Sequence, residues 1–139
     1  MRRSTFVVDT NVLVAGLLTK GSSPVSRIVD GMLMSTFRYA ISTALLREYR
    51  MVLVRPGLLR VHRLGIAGID DILTDIVLHA VMIEPQRSAH RAPDPGDQFL
   101  YDLLAIRADL VLITGDQKLL NHAAISGRIL SPRQFIESM

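Results

Sequence analysis

Apolar runs of strand length alternate along this chain with segments of helical period. Thr5-Phe6-Val7-Val8 is continuously apolar rather than alternating, the pattern of a strand covered on both faces. After Asp9, the positions Val12, Leu13, Ala15, Gly16 and Leu17 suit a helix ending near Lys20-Gly21. Ser23-Pro24 opens a second helix with Val25, Ile28, Val29 and Met32 on one face. Phe37 to Ile41 reads as the second strand, and a helix striped by Leu45, Leu46, Tyr49, Val52 and Leu53 follows, stopping at Arg55-Pro56-Gly57. One or two further helices span about 58–80, the clearer carrying Ile69, Ile72, Leu73, Ile76 and Val77. Val81-Met82-Ile83 predicts a third strand, and Gln98 to Arg107 a helix after the loop Ala92-Pro93-Asp94-Pro95-Gly96. Leu110 to Thr114 is the plainest strand; Arg128-Ile129-Leu130 predicts an edge strand, and Ser131-Pro132 a terminal helix. This alternation predicts an α/β fold with a mostly parallel sheet of about five strands between helix layers. No linker or repeat divides it, so residues 1–139 read as one domain.

Composition narrows the chemistry. A 139-residue chain that is 49% hydrophobic and 21% charged has the material for a core and lies outside the disordered class. The absence of cysteine excludes disulfide scaffolds, thiolate metal sites and cysteine nucleophiles. Arg2-Arg3 before an apolar run imitates an export signal, but Asp9, Thr10 and Asn11 interrupt it, and no stretch reaches the ~18 apolar residues of a membrane span. The expectation is a soluble, cytoplasmic protein. Of the 16 cationic side chains only Lys20 and Lys118 are lysine, and the net charge is +3. Guanidinium favours bidentate phosphate contacts, which points to a polyanionic partner.

The acids follow the strands. Asp9 ends the first strand, Asp116 follows the late one, Asp94 and Asp97 open the helix after the third, and Glu48 lies in the helix after the second. Ligands of open parallel sheets bind beyond the carboxyl ends of the strands. Taken singly, Asp9, Asp97 and Asp116 stand at helix starts and suit N-caps. Glu48 falls on the border of its helix's apolar stripe, which aims it along the core edge. Taken together, three or four converging carboxylates repel one another unless a cation is supplied, and Mg²⁺ or Mn²⁺ meets that need. Such an ion polarises a phosphoryl oxygen and acidifies water.

Competing motifs fail. Gly16 to Ser23 lacks the lysine of a phosphate-binding loop, no dinucleotide fingerprint follows a strand, and Asn11 stands where a haloacid-dehalogenase-type phosphatase needs a second aspartate. His62, His79, His90 and His122 show no metal spacing, and the six methionines read as core fillers.

Four segments carry a resemblance. Val7-Val8-Asp9-Thr10-Asn11-Val12-Leu13 looks like the opening motif of PIN-domain nucleases; Ser42 with Leu45-Leu46-Arg47-Glu48-Tyr49 through Leu53-Arg55-Pro56 resembles their second. Asp94-Pro95-Gly96-Asp97-Gln98-Phe99-Leu100 and Leu112-Ile113-Thr114-Gly115-Asp116 are similar to the third and fourth. The subgroup resembled is the small bacterial PIN proteins that serve as toxins of toxin–antitoxin pairs. The resemblance implies a three-layer α/β/α sandwich and a Mg²⁺- or Mn²⁺-dependent endoribonuclease acting on single-stranded RNA. It implies Asp9, Glu48, Asp97 and Asp116 as catalytic residues, with Asp9, Asp97 and Asp116 as metal ligands and Thr10, Asn11 and Thr114 as polar support. Whether Glu48 also ligates stays open. Gly96 replaces one acid of a pair common at the third motif, leaving Asp94, Asp102 or neither as the extra acid. The resemblance also implies a cognate antitoxin and a homodimer. Residues 47–63 carry Arg47, Arg50, Arg55, Arg60 and Arg63 against Glu48 alone, a local net charge of +4 suited to an RNA track. The apolar segment Leu58 to Ala80 carries more apolar surface than one domain buries, which places it at the dimer interface. The alternatives are a catalytically weak RNA-binding or assembly module of PIN architecture and, more distantly, a phosphomonoesterase.

Overall fold

The computed structural model describes residues 4–87, 91–122 and 128–139; Arg2-Arg3 and His90 lie outside them. β1 (Thr5–Val8) pairs in parallel with β4 (Leu110–Ile113), which pairs in parallel with β5 (Ile129–Leu130). β2 (Ala40–Ile41) pairs in parallel with β3 (Val81–Met82). A parallel bridge between Phe6 and Tyr39 joins the two pieces, so the strands run β3-β2-β1-β4-β5. The five expected strands are present, but the second is shorter than Phe37–Ile41. Phe37 contributes to an aromatic cluster with Phe6 and Phe135 instead of extending the ladder.

From β1 the chain moves sideways to β2 and β3, then returns past its start to β4 and β5. Right-handed crossovers in opposite lateral directions place their helices on opposite faces of the sheet. Burial agrees: Val7, Val8, Leu110, Leu112 and Ile113 are all at most 1% exposed, which requires cover on both sides. The result is the three-layer α/β/α arrangement.

α1 (Thr10–Leu18) ends at Leu18, two residues before the expected Lys20-Gly21, because Thr19 turns extended and its hydroxyl donates back to Ala15 O at 2.6 Å. α1 packs closely on α2 (Pro24–Leu33): a Cβ on Gly16 would collide with Val29 and the carbonyl of Val25. α2 has a capping box between Ser23 and Ser26. α3 (Thr43–Leu53) begins at the Ser42 cap, whose hydroxyl accepts from Leu45 N. The expected one or two helices over 58–80 are two, α4 (Pro56–His62) and α5 (Gly65–His79). Their junction holds Arg63 and Gly65 in the left-handed region, which turns the chain sharply. α6 (Gln98–Ile106), α7 (Gln117–Leu120) and α8 (Pro132–Glu137) complete the chain. Among the described residues no helix is long and apolar enough to cross a membrane.

Candidate active site at the strand reversal

The order of the strands reverses between β1 and β4, and the residues that follow these two strands meet there. In open parallel sheets this crevice is where ligands sit. Asp9 follows β1 and is 6% exposed. Its Oδ1 accepts from Thr10 N at 2.8 Å as the cap of α1, and its Oδ2 accepts from the Thr114 hydroxyl at 2.7 Å. Thr114 follows β4, is fully buried, and its Oγ1 accepts from Asp116 N at 3.0 Å. Asp116 Oδ1 accepts from Lys118 N at 2.9 Å and caps α7.

Asp97 differs from these caps. It stands at the start of α6, following the short 3₁₀ turn Pro95–Asp97, and its side chain makes no capping bond. Asp94 caps that turn, accepting from Gly96 N at 2.9 Å. The half-buried Asp97 carboxyl is therefore not committed to the helix end. Burial first, then the charges of Asp9, Asp94, Asp116 and Glu48, push it up to about 6. Asp9 is also raised, chiefly by burial and further by Asp116 and Glu48, against the lowering bonds from Thr114 and Thr10. Asp9, Glu48, Asp94 and Asp116 thus all lie within electrostatic reach of Asp97, and Glu48 and Asp116 within reach of Asp9.

Glu48 reaches this group because α3 is tied to the end of β1. The buried Tyr49 hydroxyl donates to Val8 O at 2.5 Å, immediately before Asp9. Burial, then the Asp9 charge, holds the phenol well above its ordinary value, so it remains a donor. Glu84 secures the start of α3, accepting from both Thr43 N and the Thr43 hydroxyl. Asp102 accepts from Gln98 Nε2 at 2.9 Å within α6. Asn11 is exposed on the first turn of α1, while Thr10 Oγ1 is buried without a hydrogen-bond partner.

No three acids or histidines among the described residues form a ready cage for a metal ion. Mg²⁺ seldom needs one, since it keeps several waters and binds through one or two carboxylates plus substrate phosphates. Crowded oxygen donors, with Asp97 raised by burial and then by its acidic neighbours, fit a hard divalent cation of that kind.

The arginines are placed unevenly. Arg47, Arg55, Arg60 and Arg63 are exposed on α3, α4 and their ends. Arg50 is bound to Asp70 of α5, with Nε at 2.8 Å and Nη2 at 3.2 Å from its carboxylate oxygens. Between α3 and α5 lies an apolar groove of about 640 Å³, walled by Leu46, Met51, Val54, Leu73, Val77 and Leu78. Sequence reading counted Tyr49 as a plain core residue and left Tyr101 and His122 without a role at the site. A tyrosine in a leucine stripe is the available signal, because a buried hydroxyl needs a partner.

No curated protein matches this chain significantly. Among solved structures, PAE2754 from Pyrobaculum aerophilum is similar in fold, with a TM-score of 0.63 and 18% identity over 97% of this chain and 88% of that one. The family model described as PIN domain matches residues 5–118. PIN domains are typically nucleases that bind nucleic acid and use divalent metals. With most of its length matched in this way, the chain belongs to the PIN domain family.

Proposed function

We propose that the protein is a Mg²⁺- or Mn²⁺-dependent endoribonuclease acting on single-stranded RNA, in the cytoplasm, as the toxin of a toxin–antitoxin pair. One observation carries the reading. Four carboxylates from four separate chain segments, Asp9, Glu48, Asp97 and Asp116, gather at the strand reversal, where burial first and then the charges of Asp9, Asp94, Asp116 and Glu48 raise Asp97 to about 6. Capping explains Asp9 and Asp116 in part; it does not explain Asp97, whose side chain caps nothing.

Asp9, Asp97 and Asp116 would hold the ion, with Asp94 at hand as an outer acid. When bound, the ion neutralises phosphate charge and lowers the pKa of water. The residues perform the remaining tasks. Thr114 fixes the Asp9 carboxylate by its hydroxyl bond, so a ligand oxygen stays aimed without reorganisation. Glu48 orients the water that attacks the phosphodiester phosphorus in line with the leaving oxygen. Arg47, Arg55, Arg60 and Arg63 follow the RNA backbone away from Glu48, and Arg50 joins them when it exchanges Asp70 for phosphate. Such an exchange costs little, because a solvent-exposed ion pair contributes little to stability.

The apolar groove and the exposed side chains around it support a homodimer. α4 buries none of its residues, and Met51, Val61, Ile66 and Leu78 are all more than half exposed. An antitoxin would silence the site by setting a basic side chain among the carboxylates. The direct test uses a circular single-stranded RNA, which only an internal cut can open. Mn²⁺ should give linear product and a chelator should abolish it; an intact circle with Mn²⁺ would contradict the reading.

A further inference from the structure

Two of the gathered acids sit on neighbouring helix starts, and a part-buried contact joins those helices one turn further in. Tyr101 lies on α6 one turn after Asp97 and is 1% exposed. Its hydroxyl meets His122 Nδ1 at 2.6 Å, and the two rings pack with centroids 5.3 Å apart. His122 is half-buried in the turn that closes α7, the helix capped by Asp116. His122 N donates to Leu119 O at 3.1 Å, so the ring is held to α7 through the backbone as well. Burial, then the charges of Asp97 and Asp116, pushes the Tyr101 phenol up to about 12. The phenol therefore keeps its proton and is able to donate to Nδ1. Among the described residues neither side chain is hydrogen-bonded to the acids themselves, yet the charges of both act on the tyrosine.

We propose that Tyr101 and His122 are a positioning pair, a hydrogen-bonded strut between α6 and α7 that sets the separation of the Asp97 and Asp116 carboxylates. The acids repel each other, and without a fixed brace the two helix starts relax apart until repulsion is relieved. The strut would keep the two carboxylates close enough to share one divalent cation, which would relieve their repulsion when it binds. This inference rests on the reading of Asp97 and Asp116 as metal ligands.

Mn²⁺ binding measured by calorimetry without RNA, beside thermal melting of the same samples, tests the strut. Tyr101→Phe and His122→Ala should each weaken Mn²⁺ binding at least tenfold, the lower end of what loss of a ligand-orienting contact costs. The double variant should be no worse than either single one, since both remove one interaction. His122→Asn sets an amide oxygen near the place of Nδ1 and should recover most of the affinity. His122→Ala, at a half-buried turn, gives the measurement if Tyr101→Phe does not fold. Lower melting temperatures with Mn²⁺ affinity unchanged would overturn the strut, as would additive losses or failure of His122→Asn to rescue. A parent that binds Mn²⁺ but leaves RNA uncut would overturn the ribonuclease reading alone; a parent that binds no Mn²⁺ would overturn both.

Discussion

Thr114 Oγ1 donates to Asp9 Oδ2 at 2.7 Å and accepts from Asp116 N at 3.0 Å, so one hydroxyl ties together the ends of β1 and β4. The residues are 105 positions apart, yet their strands are adjacent and in register, Val8 opposite Ile113. Thr114→Val keeps the shape and removes both bonds. Hydrogen bonds to charged groups are worth about 1.5–3 kcal/mol, and the Asp116 amide would lose its acceptor as well. We expect destabilisation of about that size by denaturant unfolding and a large loss of RNA cleavage. Thr114→Ser, which retains the hydroxyl, should restore most of both. A valine variant equal to the parent in both measurements would show the bond to be idle.

The raised carboxyl of Asp97 has a consequence for stability against pH. Its ordinary value is 3.8 and its folded value about 6. Between those values the folded chain holds a proton that the unfolded chain has released, so stability falls as pH rises through that window. Asp9, also raised, acts in the same direction. Asp109 acts oppositely: Arg107 lowers it to about 2, and its contribution is lost only as pH falls below the ordinary value. Metal-free melting temperature should therefore carry a falling component between about pH 4 and pH 6 that Asp97→Asn reduces. Identical slopes for parent and variant would refute it.

Much of this site was legible in the sequence because strand ends are legible. Thr5 to Val8 and Leu110 to Thr114 are continuous apolar runs, and Asp9 and Asp116 follow them directly or within two residues. Glu48 at the edge of the α3 stripe was readable from helical period alone. Side-chain partnerships across long separations were not readable. Arg50 and Asp70 meet because α3 and α5 pack side by side, and nothing in either segment announces it. Tyr101 and His122 meet because α6 and α7 start at the same sheet edge. The brevity of β2 was equally hidden, since Phe37 has strand propensity but finds aromatic neighbours instead.

The RNA track is tested through salt dependence. Each phosphate contact on a single strand contributes about 0.7 to the slope of log K against log salt. Replacing Arg47, Arg55 and Arg60 with Gln in a cleavage-dead background should flatten that slope by up to about 2. Arg50→Gln should change it less, because Asp70 already holds that guanidinium. An unchanged slope in the triple variant would place the RNA elsewhere.

Self-association is expected at the α3–α5 groove. Leu78 is 72% exposed and Met51 55%, both on its walls. Light scattering should give a dimer at ~100 µM, where an interface of micromolar affinity is occupied. The double variant Met51→Arg with Leu78→Arg should be a folded monomer. A monomeric parent at that concentration would contradict the dimer.

The central claim is that the carboxylates at the strand reversal carry the chemistry. It is tested most directly by RNA cleavage with Mn²⁺, comparing the parent with Asp9→Asn and Asp116→Asn after identical purification. The account predicts cleavage by the parent and none by either variant, with both variants folded by circular dichroism. Equal cleavage by all three would place the chemistry outside this cluster.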